Sequence, residues 1–158
     1  MNVRPAARSD LPWLVAALDR LNATGTEADP RYVPRADVEA RLRAEIDAIW
    51  FGRFHRFPPC LVAENDGSLV GLVAGSGQPP HPILDHPPTA TISDLWVEPA
   101  HRGRGIGRAL VGAFRDAAQA AGCTRLEVST LARDARAIAF WHALGFSDLR
   151  VVLELDSS

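Results

Sequence analysis

The sequence predicts an α/β (α+β) fold in which the strands of one sheet are interleaved with amphipathic helices. Three stretches predict it. The first begins as an apolar run, Ile92 to Val97, ended by Pro99; beyond a glycine-rich loop, Ile106, Leu110, Ala113, Phe114, Ala117 and Ala121 recur at helical spacing. In the second, Asn65-Asp66-Gly67 stands between two short apolar runs, which is a strong hairpin signal. The third is a helical stretch over 134–144 followed by alternation in 150–155. A length of 158 residues suits one domain spanning 1–158.

Taken in order, residues 1–6 read as a short strand, with Ser9 or Asp10 as the N-cap of a first helix. Pro12 suits that helix's first turn, and Leu11, Leu14, Val15, Leu18 and Leu21 form its apolar stripe. Residues 22–34 are polar and read as a loop. A second helix is expected over 35–51, with Val38, Leu42, Ile46, Ile49 and Trp50 on one face. Pro58-Pro59 stops the chain before the hairpin strands at 60–64 and 69–74. Residues 75–90 carry five of the twelve prolines and read as a stiff connection, a lid or an excursion between strands. The strand at 92–97 and the helix ending near Ala121 follow, with Gly122 at the helix C-cap. A strand at 125–130, a helix at 134–144 and a last strand at 150–155 complete the set.

Composition excludes several classes. A net charge of −2 argues against a nucleic-acid binder. The interleaved aromatic and basic residues from Trp50 to Phe57 read as a helix end packing into the core. Arg4, Arg8 and Asp10 interrupt the N-terminus before any apolar leader forms, and no stretch has the length of a membrane span. Cys60 and Cys123 are isolated and are expected as free thiols, with the cytoplasm as the default compartment. His81, Asp85 and His86 lack the spacing of a tetrahedral metal site, so no metal is expected.

The chemistry concentrates in His101-Arg102-Gly103-Arg104-Gly105-Ile106-Gly107-Arg108. This loop opens a helix N-terminus, where unpaired N–H groups and the helix dipole favour an anion. Three arginines in seven residues suit a multiply charged phosphate ligand. A Walker loop is excluded because the chain contains no lysine, and a dinucleotide loop because the glycine spacing is wrong. The pattern Arg102-x-x-Gly105-x-Gly107, preceded by Leu95-x-Val97-x-Pro99, closely resembles the acetyl-CoA signature of the GCN5-related N-acetyltransferase (GNAT) family. Asp134-x-x-Ala137-x-x-Phe140-Trp141-x-x-x-Gly145-Phe146 resembles a later segment of that family. Val3-Arg4-Pro5-Ala6 with Asp10-Leu11 resembles its opening.

The resemblance implies a mixed, mostly antiparallel sheet with a splayed central strand pair flanked by helices. It implies a cytoplasmic acetyl-CoA-dependent N-acetyltransferase that acylates a primary amine of a small molecule or peptide directly, in a ternary complex. The pantetheine arm of CoA would enter between the strands at Asp94–Val97 and Leu126–Thr130, against the backbone of Leu95, Trp96 and Val97. An N–H near Val97 would polarise the thioester carbonyl. Residues Arg102, Gly103, Arg104, Gly105, Ile106, Gly107 and Arg108 would hold the pyrophosphate. Ser129, Asp134 and Trp141 would lie along the cofactor arm. Asp134 stands where the family has asparagine, and Trp141 where relatives often carry a tyrosine that protonates the departing thiolate. Asp94 or Glu98 is the candidate general base, with a hydrogen-bonding role at a sheet bulge the other reading of Asp94. A homodimer is left open. The alternative function is a non-catalytic CoA-binding sensor, and a longer acyl donor depends on space beside Trp96 and Ser129.

Overall fold

The computed structural model describes residues 1–51, 59–78, 83, 85 and 87–155. In chain order the elements are β1 (Asn2–Pro5), a 3₁₀ turn (Arg8–Asp10), α1 (Leu11–Ala28), α2 (Val38–Glu45) and a π turn (Ile46–Trp50). They continue with β2 (Cys60–Asn65), β3 (Ser68–Gln78), β4 (Thr89–Val97), a 3₁₀ turn (Pro99–His101), α3 (Ile106–Ala120), β5 (Arg125–Val128) and α4 (Ala135–Ala143). The sheet runs β1-β2-β3-β4-β5. The first three pairings are antiparallel and β4–β5 is parallel. The mixed, mostly antiparallel sheet implied by the resemblance is therefore present.

Strand alternation divides the core between the two faces of this sheet. Leu61, Ala63, Val73 and Ile92 pack with Ile106, Leu110 and Phe114 of α3. Val62, Leu72, Ala74 and Trp96 pack with Leu14 and Leu18 of α1 and with Ile46. Close approach of α3 depends on Gly75, where an added Cβ would lie 2.6 Å from Phe114 Cζ and 2.1 Å from Thr91 O. The hairpin is made as its sequence requires, with Asp66 and Gly67 both at positive φ (50° and 75°). Arg4 anchors the first strand by a two-pronged pair to the buried Asp10, at 2.7 and 3.1 Å, and reaches Glu64 at 3.1 Å.

Four expectations are corrected. Helix α1 continues through Ala28 where a polar loop is expected. Thr24 Oγ1 donates to Leu21 O and Thr26 Oγ1 to Asn22 O, so these hydroxyls bond the helix's own carbonyls. The second helix is shorter than 35–51, being regular only over Val38–Glu45. The connection at 75–90 is also shorter, because β3 and β4 pair as far as Gln78 opposite Thr89. Within it, His81 and His86 lie outside the described residues, as do residues 52–58 of the aromatic and basic stretch. Finally, residues 150–155 join no strand despite their alternation. Arg150 is held by Glu127 and Glu154 by Arg31, side chain to side chain, in place of a backbone ladder. Among the described residues no helix is long and apolar enough to cross a membrane.

Candidate active site

The site begins at an irregularity in β4. Ala74 lies opposite Asp94 but Gly75 lies opposite Ile92, so Ser93 is an extra residue bulged out of the ladder. The parallel pairing of β4 with β5 ends at the same place, with Ile92 opposite Val128. Beyond it the two strands part, and among the described residues Asp94–Val97 keep β3 alone as a strand neighbour. Glu98 N–H donates to Val70 O at 2.9 Å, across toward β3. By two-residue alternation, the N–H groups of Leu95 and Val97 then point to the side that β5 has left. Part of the peptide backbone is thereby presented to an open cleft at the strand ends.

The glycine loop closes the far end of this cleft. Pro99–His101 turns the chain, and Gly105 at φ 80° caps the N-terminus of α3. Gly103, at φ 74°, is also left-handed. A Cβ at either glycine would meet nothing within 4 Å, so the backbone here is open to close approach by a ligand. Gly107 serves packing instead, since its Cβ would meet the Phe140 ring at 3.2 Å. The first amides of α3 have no acceptor within the helix and can receive an anion.

The three arginines divide their work. Arg102 Nε donates to Val97 O at 2.9 Å, and its guanidinium stacks on the Trp96 ring at 4.8 Å. Arg102 thus braces the strand exit, leaving the exposed Arg104 and Arg108 as the cations at the mouth of the helix. The only bond Arg108 makes among the described residues is a long one to Ala143 O, at 3.4 Å.

The two candidate carboxylates have different surroundings. Asp94, half-buried, lies on the face turned toward α1 and α2, in line with Ala74 and Cys60 across the sheet. Burial pushes its pKa up and the charge of Glu45 adds to the shift, against a 2.7 Å hydrogen bond from Ser93 Oγ. The Cys60 thiol is likewise pushed up, by burial first and then by the charges of Asp94 and Asp10. Glu98 is held in an ion pair with Arg20 at 2.5 Å. Arg20 also lies 5.9 Å from the Trp96 ring, against 4.8 Å for Arg102. Arg20 and Glu45 escaped the sequence reading, because they lie far along the chain from the carboxylates they act on.

The remaining residues gather at the other wall. Asp134 caps α4, its Oδ1 accepting from Ala137 N at 2.9 Å. An aspartate in the family's asparagine position therefore has a structural use here. Trp141 is buried, edge-on to Phe140 at 5.0 Å and to Phe146 at 5.3 Å. Ser129 is exposed, immediately past the last paired residue of β5.

Comparison with known proteins bears on this arrangement. The sequence profile of the acetyltransferase (GNAT) family matches residues 21–146. A thialysine N-epsilon-acetyltransferase of Bos taurus is 34% identical over 58 residues, covering 37% of this chain and 34% of that protein. An L-2,4-diaminobutyric acid acetyltransferase of Nocardia farcinica is 34% identical over 84 residues, covering 53% of this chain and 41% of that one. The chain thus spans well under two thirds of the length of these curated relatives. An aminoglycoside antibiotic 6'-N-acetyltransferase from Acinetobacter haemolyticus superimposes with a TM-score of 0.76 at 18% identity, covering 100% of this chain and 99% of that structure. At that identity the likeness is one of fold.

Proposed function

The chain belongs to the acetyltransferase (GNAT) family, and we propose that it transfers an acetyl group from acetyl-CoA to a primary amine of a small molecule. The observation that carries this reading is the parting of β4 from β5 after Ile92 and Val128, on a strand whose exit leads into the glycine loop at the start of α3. An elongated thioester with a phosphate-rich end fits a cleft that has free strand amides at one end and helix amides at the other. The relatives named above are named for amine acceptors, which favours an amine here over an alcohol or a thiol.

In this proposal the amides of Gly103 to Arg108, with the Arg104 and Arg108 guanidinium groups, hold the pyrophosphate. When bound, acetyl-CoA supplies an activated acyl group on a thiol leaving group. The Val97 N–H donates to the thioester carbonyl where negative charge develops. An alkylammonium has a pKa of about 10.4, so the acceptor arrives protonated and must lose a proton before it attacks. Asp94 takes that proton, and its raised pKa makes it a better base than an ordinary carboxylate. Glu98, tied to Arg20, supports the strand exit. A thiol of pKa about 8.5 leaves near neutrality without a strong acid, consistent with a packed indole at Trp141.

The test is release of free CoA thiol by the purified protein with acetyl-CoA and a panel of diamines, amino acids, aminoglycosides and peptides. Turnover above the amine-free rate with at least one amine is expected. Binding of CoA without turnover on any amine would replace this reading with that of a CoA sensor.

A further inference from the structure

The face of the sheet turned toward α1 and α2 brings together two carboxylates that lack an arginine. Around them the other acids are compensated: Asp10 by Arg4 at 2.7 Å, Asp47 by Arg8, and Glu98 by Arg20. Among the described residues, Asp94 receives only the Ser93 hydroxyl. Glu45 is the exposed last residue of α2, and the arginines nearest it on that helix, Arg41 and Arg43, pair with Asp37 and Glu39 instead. Packing is what draws the two acids together. Ile46, next to Glu45, is buried with Val62, Leu72, Ala74 and Trp96. Asp94 lies on the same face, in line with Ala74 and Cys60. The charge of Glu45 is near enough to act on the Asp94 carboxyl, and it acts in the unfavourable sense.

Two like charges held near one another without a counter-ion are costly, and a ligand with two positive charges removes the cost at both. We propose that the acceptor is a diamine, with its reacting ammonium at Asp94 and its second ammonium held by Glu45, the specificity-determining residue. This inference rests on the acetyl-transfer reading above and names the acceptor class. The surroundings divide the roles. Asp94 is half-buried on the strand that parts from β5, whereas Glu45 is exposed and suits a group that only anchors. The first ammonium gives a proton to Asp94, and the freed nitrogen pair forms the N–C bond as the C–S bond breaks. The bonding electrons leave on sulfur, which takes the proton that the new amide nitrogen sheds. The product keeps one positive charge of two, so its hold on the site weakens after transfer. A monoamine leaves Glu45 uncompensated throughout, and an acceptor with a carboxylate at that end meets a like charge.

Thiol release by the full-length chain can be compared between α,ω-diamines of increasing length and the alkylamines of matching length. The wild type should prefer the diamine of best length by on the order of tenfold in kcat/KM, the worth of one charged hydrogen bond. Glu45→Gln should abolish that preference. Glu45→Asp should keep part of it and move the best length upward, because the carboxylate is withdrawn by one methylene. Asp19→Asn, which removes an exposed carboxylate from α1, should leave the preference intact. The pH profile gives a second readout that a merely structural role would not move. Asp94 is faced by Ser93 from its own strand, by Glu45 from α2 and by the Cys60 thiol of β2, which burial keeps neutral. Asp10, beyond Cys60, is neutralised by Arg4. With an alkylamine as substrate, Glu45→Gln should therefore move the acid limb to lower pH. A wild type no faster with any diamine than with its matched alkylamine would overturn the proposal and leave acetyl transfer standing. So would a Glu45→Gln variant that keeps the preference, or one whose acid limb does not move. Turnover with no amine at all would overturn both readings.

Discussion

Replacing Asp94 with asparagine should move activity and stability in opposite directions. The amide keeps the shape and the bond from Ser93 but cannot take a proton. Loss of a positioned general base costs roughly 100- to 10,000-fold in rate, or about 2.7–5.4 kcal/mol of barrier at 1.36 kcal/mol per tenfold. Affinity for CoA should stay near that of the wild type, because Asp94 faces α1 and α2 and the glycine loop lies beyond the strand exit. Stability runs the other way. Burial, with Glu45 nearby, raises the Asp94 pKa in the folded protein. A raised folded value means that this group's favourable contribution is full below its unfolded pKa of about 3.9 and is lost as pH rises through the folded value. The wild-type protein therefore carries a destabilising charge near neutral pH that Asp94→Asn removes. Thermal melts should show the variant more stable at pH 7–8, with the difference closing toward pH 4, while thiol-release assays show the rate loss and a flattened acid limb. A variant that turns over within threefold of the wild type would refute the assignment of the base. One no more stable at pH 8 than at pH 4, relative to the wild type, would refute the desolvation argument.

Gly105→Asp forces a left-handed residue and adds a negative charge at the mouth of α3; a folded variant should lose CoA binding by calorimetry, and unchanged affinity would remove the phosphate site. Trp141→Phe should keep most turnover and lose some thermal stability through the smaller ring, so a turnover loss beyond about 100-fold in a folded protein would give the indole a chemical role. Gly75→Ala places a Cβ 2.1 Å from Thr91 O and should lower stability by about 1–3 kcal/mol or more; an unchanged melting temperature would show that the backbone there yields freely.

What was legible in the sequence was written in local chemistry. Asp66-Gly67 makes its turn because both positions need positive φ, and the apolar stripe from Ile106 to Phe114 buries itself because its spacing is helical. The glycine loop was equally plain, since Gly103 and Gly105 adopt backbone angles that other residues avoid. What escaped depends on partners far along the chain. Glu98 looks like a free carboxylate until Arg20, from α1, reaches it. Arg102 has near neighbours instead, Val97 O and the Trp96 ring, but only the turn at Pro99–His101 folds its guanidinium back onto them. Residues 150–155 have a strand's alternation, but alternation states which side chains share a side and says nothing of which edge receives them.

The bulge at Ser93 links these levels. Without it, alternation from Ala90 and Ile92 would carry Asp94 and Trp96 onto the α3 face, burying a carboxylate among Ile106, Leu110 and Phe114. One inserted residue shifts the phase, so that Leu95 and Val97 take the α3 side and Asp94 the side of α1 and α2. The same insertion coincides with the last β4–β5 pair, so the strand changes phase where it loses its neighbour. A carboxylate on one side and unpaired amides along the strand edge thus arise from a single local defect. Gly75 is what accommodates it, because Thr91 O occupies the space that any larger residue's Cβ would need. The Asp94 carboxylate, the parted strands and Gly75 are therefore coupled. A substitution that straightens β4 should disturb proton transfer and cofactor binding together, whereas changes at Asp94 or Gly105 should separate them.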